Sequence, residues 1–311
     1  MVKWLLLLLC VGACTQPKAA RPVDRAALLV AAVRGDSADV VRQLLDAGVS
    51  PDTIAPDGTR PLTEAARHGR IAAAEALLYA GASSDLADSA GSRPFDYAVE
   101  EGHRELAVLL VRQAARDAGA NPQAIAWFDA LSGSGNTVPD WHRVLDGEIA
   151  SLGLICAVLN RRDDVAASLR RAAGIPNRTG YVALVLAARF GDEAAVADLL
   201  GASANPDAEV SGHWHETPLM AAAEDGYVAI GRRLIRAGAR VDHVDDRGQT
   251  ALIWAVREGE TDFARMLLDA GADPTRRDEA GDSALDIAHR INHTDLIALL
   301  EEHREKSRRK T

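Results

Sequence analysis

The stretch Thr250-Ala-Leu-Ile-Trp-Ala-Val-Arg-Glu-Gly259 is followed, twelve residues after its glycine, by Gly271-Ala272-Asp273, and this pattern recurs along the chain. The preceding copy is Thr217-Pro-Leu-Met-Ala-Ala-Ala-Glu-Asp-Gly226, followed by Gly238-Ala239. The first glycine of the motif falls at 35, 69, 102, 191, 226 and 259, so neighbouring copies within each run are 33 to 35 residues apart. Internal periodicity of this length indicates a solenoid, in which each unit buries its apolar face only against its neighbours.

A single copy predicts a turn followed by two short helices. Residues 250–258 form a short stretch with small side chains, which lets helices of adjacent units approach closely. The second stretch carries Phe263, Met266 and Leu267 at i, i+3 and i+4, a stripe that faces a core. Each stretch ends at a glycine, where a helix can stop in the left-handed conformation. Residues 246–248 form the turn ahead of the next threonine.

This unit resembles the ankyrin repeat. Thr217-Pro218-Leu219 match the start of that repeat, and Gly271-Ala272-Asp273 match its end. The resemblance implies an all-α ankyrin-repeat solenoid of about eight helix-turn-helix repeats, with a non-repeat insertion. Six repeats are well formed, at residues 24–56, 57–87, 88–122, 179–208, 213–245 and 246–278.

Two further repeats depart from the pattern. The unit at 143–178 is degraded, since Arg161 replaces its first glycine; the unit at 279–303 has Asn292 there, and its polar second helix suits a terminal cap. Seventeen residues separate Gly102 from Gly119, so a longer second helix is expected in the third repeat. The expected organisation is three repeats over 24–122, an irregular insertion at 123–142, about five repeats over 143–303 and a basic tail at 304–311.

The repeat is lost in the insertion. This stretch contains Trp127, Phe128 and Leu131, then Ser132-Gly-Ser-Gly-Asn136, so a short helix followed by a flexible loop is expected. Three interpretations stay open: the aromatic side chains fill part of the solenoid core, the loop has a function of its own, or the chain breaks here into two domains.

The N-terminus has the pattern of a secretory leader. Lys3 precedes a short apolar run and then Val11-Gly12-Ala13-Cys14, which resembles the lipobox of bacterial lipoproteins. That resemblance implies removal of residues 1–13 as a signal peptide, lipid attachment at Cys14 and a tether over 14–23. Thr15, which is not aspartate, favours the outer membrane, with the protein on its periplasmic face. Ordinary signal-peptidase cleavage after Ala13 is the alternative.

Composition limits the possible functions. The formal net charge is −10, which argues against nucleic acid as a partner, because phosphate binding needs a basic face. Beyond the leader region the remaining cysteine, Cys156, has no second cysteine to form an internal disulfide with, and we expect it to pack inside a helix pair. No nucleophile elbow, phosphate loop or spaced cysteine pair occurs in the sequence. The sequence therefore predicts a monomeric protein that is not an enzyme and has no cofactor.

One segment offers a weak candidate metal site. His213 and His215 alternate in His213-Trp214-His215, so in an extended segment both side chains would point to the same side. A single metal ion could then be bound, although two ligands are few. The other interpretation is an exposed finger between repeats whose Trp214 contacts a partner.

The resemblance also places a binding surface. In ankyrin repeats the finger tips and variable positions of the first helix line a concave groove, and here those positions follow or precede the paired small residues of each copy. They are Arg67, His68, Tyr97, Glu100, Glu101, Arg189, Phe190, Glu224, Asp225, Trp254, Arg257 and Glu258. Exposed aromatic residues and arginines are typical of interface hot spots. Packing of Tyr97, Phe190 and Trp254 between repeats is the alternative.

The leading hypothesis is a membrane-tethered periplasmic module that binds a partner protein through the groove and fingers. One version is an inhibitor or immunity protein that blocks a toxin or hydrolase. The alternative is a lipoprotein that binds a metal or small ligand through His213 and His215. The partner itself cannot be named from the sequence, because groove residues vary with the ligand.

Overall fold

A computed structural model of the chain describes residues 22–132, 147–161, 182–210 and 215–310. These residues form α-helices and contain no strand, although one isolated β-bridge joins Arg277 and Ser283. The helices are α1 (Pro22–Arg34), α2 (Ala38–Asp46), α3 (Pro61–Arg67), α4 (Ile71–Tyr79), α5 (Pro94–Glu100), α6 (Arg104–Asp117), α7 (Pro122–Ser132), α8 (Gly147–Leu159), α9 (Ala183–Arg189), α10 (Glu193–Gly201), α11 (Pro218–Glu224), α12 (Val228–Arg236), α13 (Ala251–Glu258), α14 (Thr261–Asp269), α15 (Ala284–Arg290) and α16 (Thr294–Lys310). The predicted all-α class is confirmed.

The described residues fall into two compact units. The division lies between Ala107 and Val108, inside α6 and not in the insertion at 123–142. Unit 1 contains α1 to α5 and the start of α6, and unit 2 contains the later helices.

Within each unit the helices form pairs, and equivalent helices of neighbouring pairs pack side by side. The first helices α1, α3 and α5 pack in sequence in unit 1, as do α9, α11, α13 and α15 in unit 2; the second helices α10, α12, α14 and α16 follow the same order. Ala65, Ala66, Ala187, Ala188 and Ala222 are fully buried on the first helices. Because these side chains are single methyl groups, adjacent first helices can lie close together, as expected from the repeat.

The first helices begin where capping residues and prolines allow. The Thr217 side chain accepts a hydrogen bond from the Met220 amide at 3.4 Å, and Thr250 accepts one from Ile253 at 3.3 Å. Proline follows the N-cap in α3, α5 and α11, where its missing N–H has no helical partner to lose.

Left-handed residues end the helices at regular intervals, with one shift from the sequence prediction. Gly69, Gly102, Gly191, Gly226 and Gly259 all have positive φ, as expected. In the first repeat the left-handed residue is Asp36 (φ 53°) and not Gly35, so the prediction of Gly35 was wrong by one position. Aspartate tolerates this conformation better than most residues, which allows the substitution. In unit 1 the left-handed residues that follow the first helices are thus at 36, 69 and 102, and the repeat has a constant spacing of 33.

The two repeats that depart from the pattern both have a left-handed residue at the position of the first glycine. Arg161 has φ 53° and Asn292 has φ 56°, so both occupy the glycine position as the register predicts. Ser203 (φ 66°) replaces the second glycine of its repeat. Solenoid geometry is therefore maintained at three sites where the sequence lacks glycine.

Tight turns, here called fingers, precede the first helices. Their residues are 55–59, 88–92, 245–249 and 278–282, and a backbone hydrogen bond closes each one, as from Asp245 N–H to Gln249 C=O at 3.1 Å. Val210 N–H bonds Glu216 C=O at 3.1 Å in the corresponding place before α11.

Aspartate side chains connect successive repeats below the fingers. The amides of Ser83, Arg240 and Asp273 donate to Asp52, Asp207 and Asp242 at 3.0, 2.8 and 3.0 Å. Each acceptor lies four residues after the second left-handed position of its repeat, so the same contact recurs in both units.

The insertion begins with α7, the short helix expected there; the predicted loop that follows lies largely outside the described residues. Phe128 on α7 is fully buried, which agrees with an aromatic side chain that fills core space. Cys156 on α8 is also buried and unpaired with another cysteine, and burial raises the pKa of its thiol to about 12. The predicted longer second helix of the third repeat is α6, with 14 residues.

The chain ends in α16, which reaches Lys310 and includes most of the basic tail. Asp295, Ala298, Glu301 and Glu302 are exposed on it. Residues 1–21, with the predicted leader and Cys14, lie outside the described residues. Among the helices that the structure describes, none is long and apolar enough to cross a membrane.

Candidate functional site

Most of the predicted groove residues lie at or just after the C-terminal ends of the first helices, whereas Tyr97 and Trp254 lie in the middle of α5 and α13. This location follows from the buried run that precedes them: residues 183–189 of α9 and 218–223 of α11 are buried throughout. In these two helices, side chains become accessible only at Phe190, just after α9, and from Glu224 onward in α11. Arg67, His68, Glu100, Glu101, Asp225 and Glu258 are exposed, whereas Phe190, Glu224, Trp254 and Arg257 are half-buried.

In unit 1, Tyr97 is fixed against a finger. Its side chain is only 7% exposed, and its hydroxyl donates a hydrogen bond to Asp88 Oδ2 at 2.8 Å. Burial raises the pKa of the Tyr97 hydroxyl, and the hydrogen bond to Asp88 raises it further. Arg67 from the preceding repeat covers the ring, with its guanidinium carbon 4.2 Å from the ring centroid. The tyrosine thus packs between repeats, and the arginine above it stays accessible.

Unit 2 has a related arrangement around Trp254, in which the arginine lies on the same helix as the aromatic residue. The indole Nε1–H donates to Asp245 Oδ2 at 3.0 Å, and the guanidinium carbon of Arg257 lies 4.5 Å from the Trp254 ring centroid. Arg257 also donates to Gln249 Oε1 at 2.8 Å. The other oxygen of Asp245 accepts the backbone amides of Arg247 and Gln249 at 2.9 and 2.8 Å. One buried carboxylate therefore shapes the finger and holds the aromatic residue of the next helix.

A buried ion cluster lies between the first two complete repeats of unit 2. Arg189 Nη2 lies 2.6 and 2.7 Å from the two oxygens of Glu216, and Nη1 lies 2.5 Å from Glu224 Oε2. Arg189 and Glu216 are 7% and 4% exposed. Two carboxylates around one guanidinium leave the cluster negative, and burial together with nearby Glu216, Asp225 and Glu258 raises the pKa of Glu224, although Arg189 opposes the shift.

The sequence predicted that the aromatic residues and arginines of the groove are exposed, and this prediction was wrong for two of them. Tyr97 and Arg189 are buried, because each has a polar group that a buried or nearly buried acid from a finger satisfies. Packing between repeats, the alternative interpretation, describes Tyr97. Phe190 and Trp254 are half-buried, so they pack and also reach the surface.

The finger before α11 is described only in part. His213 and Trp214 lie outside the described residues, so the metal hypothesis and the partner contact of Trp214 stay predictions. His215 is not in an extended conformation: its φ is 47°, because it occupies the left-handed finger position that glycine fills in the other repeats. Its Nδ1 lies 2.6 Å from Asp246 Oδ1 in the next finger. No cluster of three possible metal ligands occurs within the described ranges.

The acids that hold the groove side chains in place were not predicted from the sequence. Asp88 and Asp245 each stand three residues before a finger glycine, and this recurring Asp-x-x-Gly pattern was the available signal. Glu64, 2% exposed, accepts from Arg34 Nε at 2.5 Å and lies 3.2 Å from His68 Nε2. It stands directly before the paired alanines of its helix, at the position that Tyr97 and Trp254 occupy in theirs. Glu216 had no such signal, since its partner Arg189 is 27 residues away.

Comparison with known proteins agrees with the geometry. A family model described as ankyrin repeats (3 copies) matches residues 2–124 and 184–278. No curated protein matches the chain. The matched ranges cover more than half of the sequence and include most of the helix pairs, the fingers at 55–59, 88–92 and 245–249 and most of the residues just described. The chain belongs to the ankyrin-repeat family.

Proposed function

We propose that the chain binds a partner protein through the exposed ends of the first helices and the neighbouring fingers. Ankyrin repeats suggest a protein–protein interaction module, and proteins of this family are typically not enzymes. The surface proposed in unit 2 consists of Phe190, Asp225, Trp254, Arg257 and Glu258; it is called the first-helix surface below.

The observation that carries this proposal is the abrupt change in exposure along the first helices. Helix α11 is buried from Pro218 to Ala223, and then Glu224 is half-buried and Asp225 exposed. Helix α13 changes in the same way at Arg257 and Glu258. Arg257 lies at this transition and donates a hydrogen bond to Gln249, and the half-buried Trp254, about one helical turn earlier, is held by Asp245. Preorganised side chains lose less entropy on binding, which favours recognition.

Charge narrows the class of partner. Arg189 is engaged in the buried cluster, and Arg257 Nε lies 3.4 Å from Glu258 Oε1, so these two cations are already matched by acids. Asp225 and Glu258 are exposed, and the half-buried Glu224 carboxyl lies near them. The first-helix surface is thus predominantly acidic, and we infer a partner whose contacting surface is basic.

The test is affinity capture from an envelope extract with the full chain as bait. Bait carrying Asp225→Arg and Glu258→Arg should lose the partner. The matched control is Glu75→Arg with Asp269→Arg, which changes net charge equally at two exposed acids on second helices. Equal capture by both baits would place the binding surface elsewhere.

We further propose that the protein is a lipoprotein attached through Cys14 to the outer membrane and facing the periplasm. The support is the Val11-Gly12-Ala13-Cys14 sequence, which fits lipobox processing, and Thr15 after it. Multiple acyl chains anchor firmly, because each buried methylene contributes about 0.8 kcal/mol.

Replacement of the lipidated residue tests this anchoring. Cys14→Ser should move the protein from the membrane fraction to the soluble fraction and abolish incorporation of an alkyne-labelled fatty acid. Cys156→Ser, which changes the buried cysteine, should leave both readouts unchanged. A Cys14→Ser protein that still sediments with membranes would contradict lipid attachment.

A tethered, acidic and non-catalytic binding module suits an inhibitor or immunity protein for a toxin or hydrolase with a basic surface. If the captured partner is an enzyme, stoichiometric addition of the full chain should reduce its activity. A partner whose activity is unchanged at saturation would favour a scaffold role.

A further inference from the structure

A groove on the opposite helix layer of unit 2 has features of a separate binding site. It lies between the second helices α10 and α12 and has a volume of about 380 Å³. Small or apolar residues of both helices line it: Ala197, Leu200 and Gly201 on α10 and Ala229 on α12. Arg233 and Arg236 line its edge. The groove contains none of the residues of the first-helix surface.

Arg233 and Arg236 lack an acidic partner within the described residues. They stand three positions apart on α12, so they project from the same helix face. Helix α12 contains no acidic residue, and neither guanidinium pairs with a carboxylate within the part of the chain that the structure describes. Arg240, a few residues later, contrasts with them, since its Nε lies 3.0 Å from Asp207 Oδ2.

Two adjacent guanidinium groups without an anion repel each other. Their position in the last turn of α12 places them near the negative end of the helix dipole, which stabilises each charge separately. That role does not require a groove of small residues beside them. A bound anion would neutralise both charges and also occupy the space.

We propose that the α10–α12 groove binds a phosphate group through Arg233 and Arg236. The planar guanidinium donates paired N–H groups that match phosphate oxygens, and two such cations match the charge of a phosphate dianion. The apolar lining residues Ala197, Leu200 and Ala229 would contact the organic part of the ligand. A phosphorylated small molecule and a phospholipid headgroup share this chemistry.

The test measures phosphate binding to the full chain by isothermal titration calorimetry, with inorganic phosphate as the probe. Cosedimentation with phosphatidylcholine vesicles that contain phosphatidic acid forms a second arm. The test variant is Arg233→Gln with Arg236→Gln. The control is Arg232→Gln, which removes an exposed arginine of the same helix that does not line the groove.

We expect the double variant to weaken binding at least about tenfold, as expected for loss of charge-assisted hydrogen bonds, while Arg232→Gln changes it less than about twofold. Loss in the inorganic phosphate arm supports a soluble ligand, and loss confined to vesicles supports a headgroup. If wild-type protein binds neither probe, or if the double variant binds as the control does, the proposal is overturned. Reduced helix stability with unchanged binding would likewise assign the arginines to the helix dipole alone.

Discussion

Asp245 illustrates how a single side chain determines both the shape and the surface of a repeat. One oxygen accepts two backbone amides of the finger, and the other accepts the indole N–H of Trp254. Asp88 has the same role in unit 1, where its second oxygen accepts the hydroxyl of Tyr97. The sequence indicated that these aromatic residues lie on the first helices. It did not reveal that Asp88 and Asp245 accept their hydrogen bonds, because each aspartate lies nine residues earlier in the chain and comes close only when the finger folds back.

The first prediction concerns this carboxylate. Asp245→Ala leaves two finger amides and the Trp254 indole without their acceptor, so we expect unfolding free energy to fall by about 2–3 kcal/mol. Asp246→Ala, at the exposed neighbour that pairs with His215, should cost less than about 1 kcal/mol. Urea unfolding compares the two variants, and NMR should show a shifted Trp254 Nε1–H signal only for Asp245→Ala. Equal destabilisation would show that Asp245 does not hold the finger.

The second prediction concerns pH. The pKa of Glu224 is raised in the folded state, mainly by burial, so its charged form is disfavoured relative to the unfolded chain. Glu224→Gln should therefore be at least as stable as wild type at pH 7. The protonated Glu224 therefore contributes to the stability of the wild-type protein. This contribution is fully present below the pKa that Glu224 has in the unfolded chain, and it is lost as pH rises through the higher pKa that it has in the folded protein.

The measurable quantity is the difference in unfolding free energy between Glu224→Gln and wild type. It should be largest at pH 7 and shrink as pH falls toward 4, where the wild-type carboxyl is protonated. Denaturant unfolding at a series of pH values checks this trend. A difference that grows as pH falls would mean that the Arg189 ion pair dominates over burial.

At the scale of elements, helix pairs and their order were predictable because the pattern of apolar and glycine residues recurs. A left-handed residue also occurs at Arg161, Ser203 and Asn292, where the repeat pattern has glycine in its other copies. The shift from Gly35 to Asp36 could not be predicted locally, since a glycine next to the correct position satisfies the motif equally well. Burial of Arg189 likewise depends on Glu216 from the following repeat.

The third prediction uses two equivalent helix ends. Ser203 (φ 66°) and Gly238 (φ 99°) occupy the same position in adjacent repeats. Ser203→Gly should raise the unfolding free energy by about 0.5–1 kcal/mol, because it relieves left-handed strain at some cost in chain entropy. Gly238→Ala should lower it by about 1 kcal/mol, and nothing within 4 Å of the added methyl group would add a clash. Thermal or urea unfolding checks both signs. If both changes are neutral, backbone conformation does not limit stability at these ends.

At the scale of the whole molecule, the chain has a formal charge of −10 and offers surfaces of different character in its second unit. The first-helix surface is acidic and carries a half-buried tryptophan, whereas the α10–α12 groove carries two arginines without acidic partners within the described residues. The first-helix surface was predicted from the sequence through its resemblance to a repeat family, and it remains a prediction. The groove was not predicted, because it arises from small residues on two helices that the fold places side by side.

The measurement that tests the central claim most directly is the dissociation constant of the captured partner for three forms of the full chain: wild type, Asp225→Arg with Glu258→Arg, and the control Glu75→Arg with Asp269→Arg. We expect the first double variant to weaken binding by about a hundredfold or more, since reversing two interface charges converts attraction to repulsion, and the control to stay near wild type. Circular dichroism should show the same helical signal for all three. Equal dissociation constants for the three folded proteins would contradict recognition through the first-helix surface.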